Sequence, residues 1–161
     1  MKNNRYQIIA GLQELTGEII YSRAHHDYIT TSDGTGFVDG GQAGHYIRHG
    51  GVKIIAIESD VDYGVLYDDW NNRTDKYGRT NISEAKIIPK EELLDRTSFE
   101  FKKQSLTWGT YGKNGDQPRR TICLVNADTD HLQAILSTQR HISEESIEII
   151  QSILKDRNVH V

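Results

Sequence analysis

The sequence predicts an α+β fold: an antiparallel β-rich N-terminal half followed by a C-terminal αα-hairpin packed on the sheet. Three observations predict it. Short alternating or β-branched apolar runs, bounded by glycine and aspartate, recur from the start of the chain to Tyr67. A polar, turn-rich stretch, DDWNNRTDKYGRTN at residues 68–81, interrupts the pattern. Two stripes of helical period, each preceded by a capping residue, then close the chain.

In order, strands are expected at residues 5–10, 18–22, 27–31, 52–58 and 63–67, with a short one at 36–39. Asp33-Gly34 is the hairpin signal between the Tyr28 strand and the 36–39 strand, because aspartate followed by glycine suits a turn that needs positive φ. Residues 68–81 read as a loop whose large apolar side chains are Trp70 and Tyr77. Pro89 opens a helical stretch at 90–95, since proline is tolerated in a first turn. Phe99 and Phe101 alternate as in a strand, and RRTICLVN at 119–126 reads as another. Asp128 can cap a helix that buries Leu132, Ile135 and Leu136; Ser143 can cap a second with Ile147, Ile150 and Leu154 on its stripe. Ile142 and Ile147 stand at the two positions of a hydrophobic staple. One domain over residues 1–161 is expected, with residues 1–67 and 82–161 as candidate subdomains.

The chain has 161 residues and a net charge of −4, with a pI near 6.0 and a mean hydropathy of −0.61. A polar, mildly acidic chain argues against a dedicated nucleic-acid binder, which needs clustered lysine and arginine to neutralise phosphates. No apolar run approaches the ~20 residues of a membrane span. The lone Cys123 forms no intrachain disulfide and is expected to be inert core. With no apolar targeting stretch at the start, a cytoplasmic location is expected.

Four of the seven histidines fall between Ser22 and Gly51 among aspartates and glycines. This stretch contains His26-Asp27-Tyr28 and Val38-Asp39-Gly40-Gly41. It resembles uncharacterised bacteriophage proteins in which a histidine-aspartate motif and a VDGG box accompany a zinc-ribbon-like cysteine knuckle. On that alignment Gln13 and Thr16, before Gly17, occupy one cysteine pair, and Thr31 and Asp33 the other. Hydroxyl and carboxamide groups are poor substitutes for zinc-binding thiolates, so no structural zinc is expected. LTWGTYGKNGDQP at 106–118 and TDHLQAILSTQ at 129–139 resemble a second block of the same kind of protein, whereas residues 52–103 match nothing. The resemblance implies a phage origin, the cytosol of an infected bacterium, and a family without an assigned reaction.

Two constellations carry chemistry. The first is His25, His26, Asp27, Asp39 and His45, with imidazole as general base and carboxylate as orienter, or as the ligands of a metal-assisted phosphoesterase or nuclease. Adjacent His25 and His26 would face opposite sides of a strand, with Asp27 beside His25. His45 and His49 would lie about 13 Å apart on an extended strand at ~3.3 Å per residue. The competing reading is structural, each imidazole being satisfied by a carboxylate or a backbone group. Asp39-Gly40-Gly41 reads as a tight turn, with a phosphate-cradling nest of amides as the sharper alternative.

The second constellation is Trp108, Tyr111, Lys113, Arg119, Arg120 and His131, in which aromatics and cations could hold a base and its phosphate. Alternatively the aromatics simply cover the helical hairpin. No Gly-x-Ser-x-Gly elbow, Walker loop or His-Glu-x-x-His motif is present, and no cofactor is called for. The expected role is non-catalytic: binding a host protein or a small signalling nucleotide, with Trp70 and Tyr77 as a protein-facing surface and a homo-oligomer left open. A virion-assembly component is the third alternative.

Overall fold

A computed structural model describes residues 6–159; Arg5, first residue of the expected opening strand, lies outside them. The fold is α+β. Strand β1 (Tyr6–Gln13) is buried almost along its length and is central in an antiparallel sheet with β2 (Glu18–Ile20), β6 (Lys53–Ser59) and β7 (Arg79–Asn81), in the order β6-β1-β2-β7. Register with β6 runs from Tyr6 opposite Ser59 to Leu12 opposite Lys53. A second antiparallel sheet comprises β3 (Tyr28–Thr30), β4 (Phe37–Gly40) and β5 (Ile47–Gly50). The turn between β3 and β4 contains Asp33 and Gly34, with Gly34 at φ 75°.

Helix α1 (Tyr63–Asn71) stands where a strand over 63–67 was expected, and it runs on into the expected loop. Asp62 caps it by accepting from the Val65 amide at 3.0 Å. Tyr63 and Leu66, three residues apart, share the buried face, which YGVLY disguised as strand alternation. Gly64 lets α1 approach the hairpin of β8 (Thr107–Thr110) and β9 (Arg120–Cys123): a Cβ there would lie 2.5 Å from the Thr121 carbonyl oxygen. Strand β7 also falls within the expected loop.

Phe99 and Phe101 are likewise helical, in α2 (Phe99–Ser105), capped by Ser98. Two residues apart on a helix they face different directions, and Phe101 is 2% exposed while Phe99 is 39% exposed. The stretch at 90–95 contracts to a 3-10 turn, Lys90–Glu92. The strand expected over 119–126 ends at Cys123 and gives way to a 3-10 turn, Leu124–Asn126. Helices α3 (Thr129–Thr138) and α4 (Glu144–Asp156) form the C-terminal pair, α4 capped by Ser143.

Two cores result among the described residues, and the β8–β9 ribbon separates them. Cys123 packs with Tyr6, Ile8, Ile19, Ile57, Tyr63 and Leu66. Its neighbour Ile122, together with Trp108, packs against the other core, of Leu132, Ile135, Ile149, Ile150, Ile153 and Leu154. Alternation along one strand thus serves both cores. Since Cys123 belongs with Tyr6 and Leu66, residues on either side of the 68–81 segment share a core. Lys103 fastens α2 to α4 through Asp156 and, at 2.9 Å, Ser152.

Candidate functional site

The loop between β8 and β9 turns on Gly112 (φ 85°) and Gly115 (φ 70°), and is closed by the Gln117 amide donating to the Tyr111 carbonyl at 2.8 Å. It carries Lys113 to the rim of a cleft of about 510 Å³. Thr110, Lys113 and Arg120 form the ribbon side; Asp128, Thr129, Asp130 and His131, at the start of α3, form the other. Asp128 holds the cap position of α3, yet its side chain makes no capping hydrogen bond. The first-turn amides therefore keep the positive end of the helix unblocked by a cap. Arg157 pins this corner, donating to Thr129 Oγ1 at 3.1 Å and to the Val125 carbonyl at 3.0 Å. Two cations face two carboxylates across the cleft, so it suits a ligand that has both an anionic group and hydrogen-bond donors.

Of the six residues expected at a ligand site, Lys113, Arg120 and His131 line this cleft and the other three do not. Trp108 packs on the helical core. Tyr111 is 56% exposed beside the cleft. Arg119 lies on the opposite face of the ribbon, its guanidinium against Gly109 and 6.0 Å from the centre of the Tyr67 ring. Adjacent residues on a strand must diverge in this way. The surface expected at Trp70 and Tyr77 is largely occupied: Trp70 meets the Tyr67 ring edge-on at 5.6 Å, and Tyr77 packs on the sheet core.

The histidine cluster assembles only in part. Residues 23–27 form a bend rather than a strand, so His25 and His26 do not point to opposite faces. Their ring centroids are 4.4 Å apart, and His25 stacks on His45 at 4.2 Å. The two carboxylates are engaged elsewhere. Asp27, expected beside His25, is buried and accepts from the Arg23 amide at 2.9 Å and from Arg23 Nε at 2.7 Å. Asp39 accepts from Arg48 Nη2 at 2.6 Å. Among the described residues no group of three or more His, Cys, Asp or Glu is arranged to hold a metal ion. Gly40 and Gly41 have φ of 88° and 100°, as a tight turn requires, but the Gly40 amide is already donated to Ser22 Oγ at 2.9 Å, which leaves the nest reading one donor short. Partial burial, the neighbouring His25 and His26 rings and Arg96 all push the His45 pKa down.

The four positions aligned with cysteines converge in space. Gln13 Nε2 donates to both Asp33 carboxylate oxygens, at 3.0 and 2.9 Å. Thr16 donates to Gln13 Oε1 at 2.6 Å, and Thr31 to Asp33 Oδ1 at 2.8 Å. Hydrogen bonds from Gln13, from Thr35 and from Thr31 hold the Asp33 carboxyl well below its ordinary pKa. A polar knot thus joins the β1–β2 and β3–β4 turns.

Two arginines carry structure that the sequence reading missed. Arg23 is buried and also pairs with Asp69 at 2.8 Å and Asp75 at 2.9 Å. Its spacing of four from Asp27 was the available signal. Arg96 donates through Nη2 to the Gly41 and His45 carbonyls, and nothing in its sequence neighbourhood announces that role. Burial pushes the Cys123 thiol up to about 12, so it is a poor nucleophile. Among the described residues no helix is long and apolar enough to cross a membrane. Comparison of the chain with protein-family models, with curated proteins and with solved structures finds no match.

Proposed function

We propose that the protein is a non-catalytic phage accessory protein that captures a small nucleotide in the cleft between the β8–β9 ribbon and α3, and so interferes with host signalling or defence. One observation carries the reading: Lys113, Arg120 and His131, from separate elements, converge on one cleft of about 510 Å³ at an uncapped helix start. Arg120 and Lys113 take the phosphate, with the first-turn amides of α3 adding donors. Asp128 and Asp130 accept from ribose or base donors, which favours a nucleotide over inorganic phosphate.

The test is native mass spectrometry of the protein isolated from cells, followed by calorimetry with a panel of ribonucleotides and cyclic dinucleotides. A retained nucleotide, with affinity lowered about tenfold to a hundredfold by Arg120→Glu, is expected from loss of a charge-assisted hydrogen bond. A wild-type protein that binds none of the panel, or an Arg120→Glu protein that binds equally well, overturns the reading.

A further inference from the structure

A second cavity, of about 440 Å³, opens between the β4–β5 loop, the segment leading into α2, and the start of α4; its lining includes His45, Arg96, Thr97, Lys102, Thr107 and Glu145. Arg96 is its fixed element. The guanidinium is locked from one side, Nη2 donating at 2.8 Å to the Gly41 carbonyl and at 2.6 Å to the His45 carbonyl. Nε is buried with no hydrogen-bond partner, and no ion pair reaches Arg96 among the described residues. Lys102 is answered by Glu145 at 3.1 Å, so Arg96 remains as unbalanced charge. A half-buried guanidinium held by carbonyl dipoles alone is costly unless an anion completes it.

The imidazoles lie beside it. His45 lines the cavity and stacks on His25, which contacts His26. The nearby carboxylates are engaged by other cations: Asp39 by Arg48, Asp27 by Arg23, Glu145 by Lys102. Protonation of His45 therefore adds positive charge next to Arg96, and Glu145, the carboxylate in the lining, is already paired with Lys102.

We propose that this cavity is a second binding site, distinct from the α3 cleft, for the phosphoryl group of a ligand, with Arg96 as anchor and His45 setting its affinity by pH. Tetrahedral dianions accept the forked donors of a guanidinium. At high pH the His45 imidazole is neutral and only Arg96 attracts the anion; because burial and its neighbours hold its pKa below the ordinary value of about 6.5, the ring gains its proton, and the site its added charge and affinity, only as pH falls below that value. The other groups that bear on Arg96 and His45 are the Tyr63 hydroxyl, the His25 and His26 rings, Lys102 and Glu145.

Sulfate is the probe of choice, because it stays dianionic between pH 5 and pH 8 whereas inorganic phosphate does not. It would be titrated into the full chain at pH 5 and pH 8 and read by backbone amide NMR. Saturable shifts at Ala43, Gly44, His45 and Thr97 are expected, about tenfold tighter at the lower pH and abolished by Arg96→Gln. His45→Asn should keep the pH 8 affinity and flatten the pH dependence, which preserves the test if Arg96→Gln does not fold. Arg120→Glu should leave these shifts unchanged, which separates this site from the α3 cleft. Non-saturating shifts spread over the surface, or equal binding by folded Arg96→Gln, overturn the site. A pH-independent affinity overturns the histidine control.

Discussion

Arg23 Nε lies 2.7 Å from Asp27 Oδ2 with both side chains buried, and the same guanidinium spans to Asp69 at 2.8 Å. The β2–β3 bend is thereby tied to the end of α1 and the turn that follows. Asp27 belongs to this tie. Truncating one partner of a buried pair leaves the other charge uncompensated, which typically costs about 3–5 kcal/mol. Asp27→Ala should therefore lower the urea midpoint strongly, whereas His26→Ala, at an exposed ring, should shift it by less than about 0.5 kcal/mol. Equal effects of the two substitutions would contradict this assignment.

Asp69 gives the tie a pH signature. Burial alone would raise its pKa, but the hydrogen bonds from Arg23, the Lys76 and Tyr77 amides and Thr74 outweigh burial and hold it at about 2. A folded pKa below the unfolded value of about 3.9 stabilises the fold fully above that value and progressively less as pH falls towards 2. Stability measured by urea denaturation should thus decline between about pH 4 and pH 2, and Asp69→Asn, less stable at pH 7, should show a shallower decline across that window.

Gly64 and Gly34 separate close approach from backbone strain. A Cβ on Gly64 would strike the Thr121 carbonyl oxygen at 2.5 Å, at an α1–β9 contact also held by the Thr121 amide donating to Asp68 at 2.6 Å. Gly34 has open space around it and a φ of 75°. Gly64→Ala should cost about 1–3 kcal/mol by forcing helix and ribbon apart, and Gly34→Ala about 1 kcal/mol from the left-handed backbone alone. Thermal melts of both variants check the order, and a larger loss at Gly34 would reverse the interpretation.

Convergence of Gln13, Thr16, Thr31 and Asp33 leads to a metal prediction. The wild-type side chains offer hydroxyls, a carboxamide and one carboxylate already surrounded by donors. Replacing all four by cysteine should create a thiolate site for a tetrahedral ion. Cobalt(II) added to that variant should give thiolate charge-transfer absorption, and the wild-type protein should give none. A silent variant that retains its fold would mean that the four positions are near one another but not tetrahedrally disposed.

What the sequence disclosed was mostly local. Ser143 as a cap needs only its own neighbours, and α4 begins where the sequence placed it. Its buried side is Ile149, Ile150, Ile153 and Leu154, with Ile147 only partly covered. YGVLY misled because five residues of a helix with alternating bulk mimic a strand; the deciding fact, β9 lying across Gly64, is nonlocal. The site followed the same division. Lys113, Arg120 and His131 were legible as cations and an imidazole near turns, but their meeting depends on how the ribbon docks on α3. Asp27 and Asp39 looked catalytic because the spacing of four from Arg23 to Asp27 announces a pair only on a helix, which this segment is not, and because Arg48 reaches Asp39 only through the pairing of β4 with β5.

Arg119 and Arg120 are adjacent in sequence and lie on opposite sides of the ribbon, which makes them an internal control for the proposed cleft. Arg120 lines the cleft, while Arg119 crosses Gly109 and donates to Thr121 Oγ1 at 3.3 Å. Both substitutions to glutamine remove one charge from the same stretch, so they change the long-range field almost equally and differ only in what touches the ligand. Arg120→Gln should weaken nucleotide binding about tenfold or more. Arg119→Gln should leave affinity within about twofold and lower thermal stability slightly through loss of the Tyr67 contact. Calorimetry on the pair decides the matter: equal losses would show that general surface charge, rather than this cleft, attracts the ligand.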